Sequence, residues 1–199
     1  MQETGPVAEL GMRDRKKART RETIRTAALD LFEEQGFERT TVDQICRRAD
    51  VAHRTFFRYY ATKEALLFGY DFGQVILGAF AEAPADLGLW DAFGHAVTIT
   101  DGRLEEPADH TTRRRRLRRH FLEVRSVRDY ALILIDDFGQ QAAAIAGERI
   151  GVDPHADLRP LALGAMLTGM IRRHVMVDSE AALPTDWSEA YREVLRSGQ

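Results

Sequence analysis

The sequence predicts an all-α protein of about nine helices in two parts, and three observations carry that reading. Apolar residues recur at i, i+3, i+4 and i+7 along most of the chain, the spacing of one helical face. No stretch alternates apolar and polar residues as a half-buried strand would. The periodic runs are separated by helix-ending and helix-capping residues: Gly36, the Thr41/Gln44 pair, Thr62, Pro84, and Gly151 with Pro154.

Each element follows in order. Residues 1–12 contain Gly5, Pro6 and Gly11 and show no periodicity, so a disordered tail is expected. The first helix starts near Arg13–Arg19; its stripe is Ile24, Ala27, Ala28, Leu31 and Phe32, with Gly36 as C-cap and Phe37 folding back onto it. Thr40 or Thr41 caps the second helix. Gln44, three residues after Thr41, completes a capping box, and the stripe is Val42, Ile45, Cys46 and Ala49. The third helix spans about 52–59. Thr62 caps a fourth that opens at Lys63, is apolar nearly all round, and closes at Pro84. A short helix over 87–99, a loop over 100–112 and a basic helix over 113–124 are expected next. Long helices over 128–150 and 157–177 follow, then a last one over 187–196.

Composition narrows the function classes. Apolar residues make up 44% of the 199, enough for a packed core. No apolar run reaches the length of a membrane span, and the N-terminus has no secretory apolar region. Cys46 is the only cysteine, so no internal disulfide can form. These points together place the expected location in the cytoplasm, with no membrane partner. Net charge is −3, but residues 13–63 hold thirteen Lys and Arg against eight Asp and Glu, a balance of +5 that leaves −8 for the rest. A basic end on an acidic body favours a polyanion at one end only.

The second and third helices, joined by a tight turn at Asp50–Val51, have helix-turn-helix spacing. In that motif the second helix enters the DNA major groove with its N-terminal residues at base edges. His53, Arg54 and Thr55 occupy that end, and Arg54 can donate two hydrogen bonds to guanine. Arg58 is one turn further on. Phe56 and Tyr59 serve better as anchors to the preceding helices. Lys63, at a helix start, suits a phosphate, and Arg13–Arg21 can act as a flexible arm. The expected DNA-facing set is Arg19, Thr41, His53, Arg54, Thr55, Phe57, Arg58 and Lys63.

This segment resembles the N-terminal domain of the tetracycline-repressor (TetR) family. The matching residues are Ala28, Leu31, Phe32, Gly36, Phe37, Thr41, Val42, Ile45, Ala49, Val51, Thr55, Phe56, Tyr60, Lys63, Glu64 and Leu66. Three positions depart. Asp50 stands at the usual turn glycine, and Asp tolerates the conformation needed there. Ala52 replaces a frequent serine and loses an N-cap. Phe57 stands at a phosphate-binding tyrosine and lacks its hydroxyl; Tyr60 has one, but points elsewhere. The resemblance implies a homodimer on a palindromic double-stranded operator, with a DNA-binding domain over 13–62 and a ligand-binding and dimerisation domain over 63–199. It also implies a ligand-responsive regulator, a repressor by expectation. The run KKARTR…RTFFRYYATKEALL is similar to the mycofactocin-regulator subgroup, which implies an acyl-CoA-like or fatty-acid effector. In the C-terminal half that likeness is confined to helix lengths and LRPLALGAMLTGMIRR.

Phe68, Phe72, Trp90, Phe93, Phe121, Phe138, Met166 and Met170 are candidates to line an apolar pocket, with plain core as the competing role. Arg118 and Arg119, in the run Arg113–Arg119, are candidates for an acidic ligand group; a solvated basic face is the alternative and stays open. Ala162, Ala165 and Gly169 form a small-residue stripe that, with Trp187, Tyr191 and Leu195, suggests a four-helix dimer interface. Intramolecular packing is its alternative. The six histidines show no metal-ligand spacing and no catalytic motif is present, so neither cofactor nor enzyme activity is expected. An acyl-binding protein with a vestigial helix-turn-helix and a non-specific nucleoid binder are the rival functions. Cys46, on an apolar stripe, is expected to be a buried structural thiol.

Overall fold

The computed structural model describes residues 12–68, 70–101 and 108–176. These form eight α-helices and, among the described residues, no strand: α1 (Met12–Gln35), α2 (Val42–Arg48), α3 (His53–Tyr59), α4 (Tyr70–Ala81), α5 (Leu89–Asp101), α6 (Ala108–Phe121), α7 (Arg125–Ile150) and α8 (Leu158–Met176). The all-α expectation holds. The expected tail up to residue 11 and the last helix, with Trp187, Tyr191 and Leu195, lie outside the described residues. So does the side chain of Phe72.

The chain divides into two compact units, the first ending at Leu67 and the second beginning at Phe68. In the first, Ile24, Phe32, Phe37, Ile45, Phe56, Leu66 and Leu67 are fully or almost fully buried. Each such side chain contributes about 1.5–3 kcal/mol by leaving water. Gly36 takes φ 84° and lets Phe37 return to Phe32, their ring centroids 5.0 Å apart, as the C-cap reading expected.

The expected fourth helix is corrected. Lys63 does not open it; a bend over 61–63 leads into a 3-10 turn at Glu64–Leu67, and α4 starts only at Tyr70. Ala65, Leu66 and Leu67 are all buried. Short 3-10 runs are common connectors, and this one ends at Leu67, the last residue of the first unit. The loop expected over 100–112 is also shortened. The Thr100 hydroxyl donates to the Ala96 carbonyl at 2.8 Å inside α5, and α6 starts at Ala108, five residues ahead of the arginine run.

The second unit is built on α4, α5, α7 and α8 around Ile76, Leu77, Phe80, Phe93, Val97, Leu163 and Leu167. The Phe80 and Phe93 rings meet edge-on at 5.6 Å. Arg149 closes the end of α4 from α7, donating to the carbonyls of Phe80 (3.1 Å), Ala83 (2.8 Å) and Pro84 (2.8 Å). Nothing in the spacing of the sequence announced that clamp across the fold.

Candidate nucleic-acid interface

The geometry of the first unit begins at Thr41. Its side chain accepts from the Gln44 backbone N–H at 3.2 Å, and its own N–H donates to Gln44 Oε1 at 2.8 Å, the expected capping box. The Gln35 amide binds the same Oε1 at 3.0 Å, tying α2 to α1. Arg48 adds a bidentate pair with Glu34 at 2.7 and 2.8 Å, which holds the Glu34 carboxyl below its usual range. Asp50 carries φ 51° at the turn, the left-handed conformation that Asp tolerates. Ala52 gives α3 no side-chain cap, as expected.

On α3, alternate faces separate anchor from surface. Phe56 is fully buried, and Tyr60 is 5% exposed. The Tyr60 hydroxyl donates to the Arg21 carbonyl at 3.1 Å, and burial pushes its pKa up to about 12. Tyr60 therefore pins α3 to α1 and has no hydroxyl for DNA. His53, Arg54, Phe57 and Arg58 are exposed, at i, i+1, i+4 and i+5 of one strip. Arg54 has no partner among the described residues. His53 Nε2 meets Asp43 Oδ1 at 2.9 Å, and Arg58 lies 4.9 Å over the Tyr59 ring, which fixes its direction. Thr55 is half-buried and Phe57 is 55% exposed with its ring edge-on to Phe56 at 5.3 Å.

Two expectations on the basic residues change. The flexible arm over Arg13–Arg21 is helical, forming the start of α1. Arg and Lys favour helix, and Thr20 and Thr23 return their hydroxyls to the carbonyls of Lys16 and Arg19, both at 2.9 Å. Arg15, Lys16 and Arg19 consequently line a cleft of about 530 Å3 with Thr20, Thr23, Ala49 and Val51, beside the turn of the motif. Lys63 is half-buried. Its ammonium donates to the carbonyls of Phe37 and Thr40, each at 2.9 Å, and stands 4.3 Å over the Phe37 ring. Burial lowers its pKa. Two of its three N–H groups thus brace the α1–α2 connection. Lys63→Met, which keeps the stem but not the donors, is expected to destabilise the first unit by about 1–3 kcal/mol in urea titration without DNA. A variant as stable as the parent would remove this bracing role.

The ligand candidates divide as well. Phe93 is 1% exposed and packed between Phe80 and Phe138, and Trp90, Phe138 and Met170 pack on the same core. The Phe93 ring is thus part of the unit's core. Phe121 is buried on α6, and Met166 is half-buried. Phe68 stacks near Tyr130 at 5.5 Å, with the Arg118 guanidinium 5.8 Å over its ring. Arg118 is half-buried, whereas Arg119 is exposed. Ala162, Ala165 and Gly169 are exposed, and a Cβ on Gly169 would meet nothing within 4 Å. The close helix approach within the unit falls instead on Gly139 and Gly164. Among the described residues no group of His, Cys, Asp or Glu could hold a metal, no helix is long and apolar enough to cross a membrane, and Cys46 is buried as expected.

Residues 24–69 match the family model for bacterial regulatory proteins of the tetR family. The HTH-type transcriptional regulator TcmR of Streptomyces glaucescens is 39% identical over 98 residues, 48% of this chain and 43% of its own length. MftR of Mycobacterium tuberculosis, named for transcriptional regulation of mycofactocin biosynthesis, is 29% identical over 140 residues, 69% of each chain. The chain thus spans less than half the length of the Streptomyces relative it matches.

Proposed function

We propose, from the match of residues 24–69 to the tetR-family model, that the chain is a transcriptional repressor that binds a palindromic operator as a homodimer and is released by a small molecule. The observation that carries the reading is the exposed strip of His53, Arg54, Phe57 and Arg58, held outward by the buried Phe56 and Tyr60. Base edges in the major groove need such a strip, and the basic start of α1 suits the phosphates beside it. Two half-sites one helical turn apart require two copies of the strip, hence a dimer.

The dimer face proposed is the outer side of α8. Leu158 is 78% exposed and Leu161 41%, and Ala162, Ala165 and Gly169 continue the same apolar, small-residue surface. Gly169→Leu adds bulk in open space, so the chain is expected to stay folded but shift to monomer. Light scattering that finds a folded dimer argues against this face.

The effector proposed is an acyl compound with an acidic end, bound by the C-terminal unit. It favours a protein conformation that DNA does not, so each ligand weakens the other by the same factor. The test is selection from random duplexes followed by footprinting across a salt series. The repressor reading expects protection of a palindrome, steeply weakened by salt. Equal binding to every sequence favours a nucleoid binder, and no binding favours a vestigial motif.

A further inference from the structure

We infer that the C-terminal unit holds an oxyanion-binding site on α6, built on Arg118 with Arg115 one turn before it and the Phe68–Tyr130 ring pair as its apolar wall. The ligand class is an amphiphile, apolar in its body and ending in a carboxylate or a phosphate. The chemistry stands on the residues alone; its meaning as the effector site rests on the regulatory reading above.

Four observations converge. Arg115, Arg118 and Arg119 share one face of α6 at i, i+3 and i+4, where like charges oppose one another. No carboxylate pairs with Arg115 or Arg118 among the described residues. Arg118 is half-buried nonetheless, against the Phe68 ring, and burial together with the charges of Arg114, Arg115 and Arg119 pulls its guanidinium down to about 10. From α8, the half-buried His174 lies in the field of Arg118, Arg115 and Arg119, which adds to its burial in lowering its pKa.

Burying a guanidinium among other cations, without a counter-ion, opposes folding. A protein retains such an arrangement at a cost unless an anion relieves it. An oxyanion accepts a forked pair of N–H groups from Arg118, strengthened by the low local dielectric. The Phe68 and Tyr130 rings, 5.5 Å apart, then meet the carbon body next to the charged end. That layout selects against cations and gives a neutral ligand no use of the arginines. The arginine run is therefore split in function: the exposed Arg119 shapes the field, and the half-buried Arg118 makes the contact.

The experiment is calorimetric titration of the full chain with dodecanoate, dodecyl phosphate and dodecyltrimethylammonium. At least one of the two anions is expected to bind saturably and the cation not to bind. Arg118→Gln is expected to weaken the anion about tenfold or more, with a ligand-free melting temperature equal to or above that of the parent. Should Arg118→Gln fail to fold, the exposed Arg115→Gln variant carries the test, with a several-fold weakening expected. In the parent chain the His174 imidazole resonance should move towards its protonated position as anion binds, because an adjacent negative charge offsets the arginines. The proposal is overturned if neither anion binds, if the cation binds as tightly, or if both arginine variants bind like the parent. Operator release is scored separately. Anion binding through Arg118 with unchanged operator affinity keeps the site and removes its effector role. Release by a neutral compound, with no anion bound, removes the site and leaves the repressor reading intact.

Discussion

Gly164→Val is expected to unfold the C-terminal unit or bring it close to unfolding. The α7–α8 crossing is made backbone to backbone: a Cβ on Gly164 would lie 2.6 Å from the Gly139 carbonyl oxygen and 3.0 Å from the Ala143 Cβ. Neither neighbour is the far end of a flexible side chain, so relief requires the helices to separate. The Thr168 hydroxyl, which donates to the Gly164 carbonyl at 2.9 Å, closes the remaining side by standing over Gly139. Separation would strip contacts from Leu163, Leu167, Ala142 and Ala146, all buried in the core beside the crossing. Overpacking by a methyl group costs about 1–3 kcal/mol, and valine inserts three carbons instead of one. A domain has only about 5–15 kcal/mol to lose. The measurement is a thermal melt followed by circular dichroism, with Gly164→Ala as the graded intermediate and Gly169→Ala as the control in open space. A Gly164→Val chain that melts with the parent would mean that α7 and α8 do not meet through these glycines.

Gly164 also shows where sequence reasoning stops. The stripe of Ala162, Ala165 and Gly169 was legible as a place for close helix approach, but α8 carries a second small-residue face through Gly164 and Thr168. Periodicity finds both faces and cannot say which one meets α7; only the partner glycine at Gly139 does, and it lies on another helix. In the first unit the opposite holds. Gly36, Thr41 with Gln44, Asp50 and Ala52 are local signals, each acting within a few residues, and the structure uses each as the sequence suggested. The Lys63 brace reaches back to Phe37 and Thr40, and the Arg149 clamp reaches to the end of α4. Both are long-range side-chain bonds to carbonyls, and no spacing rule encodes them. The helix start expected near Arg13 holds while the arm reading of Arg13–Arg21 does not, because a basic run has the same composition whether it is an arm or a solvated helix.

Arg54→Ala is expected to lower operator affinity by about 1–3 kcal/mol, roughly tenfold to more than a hundredfold, and to relax discrimination at one base pair in each half-site. Arg54 stands in the first turn of α3, is exposed and has no partner among the described residues, so its guanidinium keeps its donors for a guanine edge. Its backbone position is rigid because Phe56 within α3 and Tyr60 at its C-cap are locked into the first unit's core. Arg58 provides the contrast. Its guanidinium lies 4.9 Å over the Tyr59 ring and donates to the Tyr59 hydroxyl at 3.3 Å, a posture suited to a phosphate. Arg58→Ala should therefore weaken all sequences alike and reduce the salt slope by about one, while Arg54→Ala changes which sequences bind. Fluorescence anisotropy with a panel of single-base operator variants, repeated at three salt concentrations, separates the two effects. If Arg54→Ala instead lowers affinity uniformly and Arg58→Ala alters base preference, α3 enters the groove rotated from the orientation argued here. If neither variant changes binding, the exposed strip of α3 is not the DNA-reading surface.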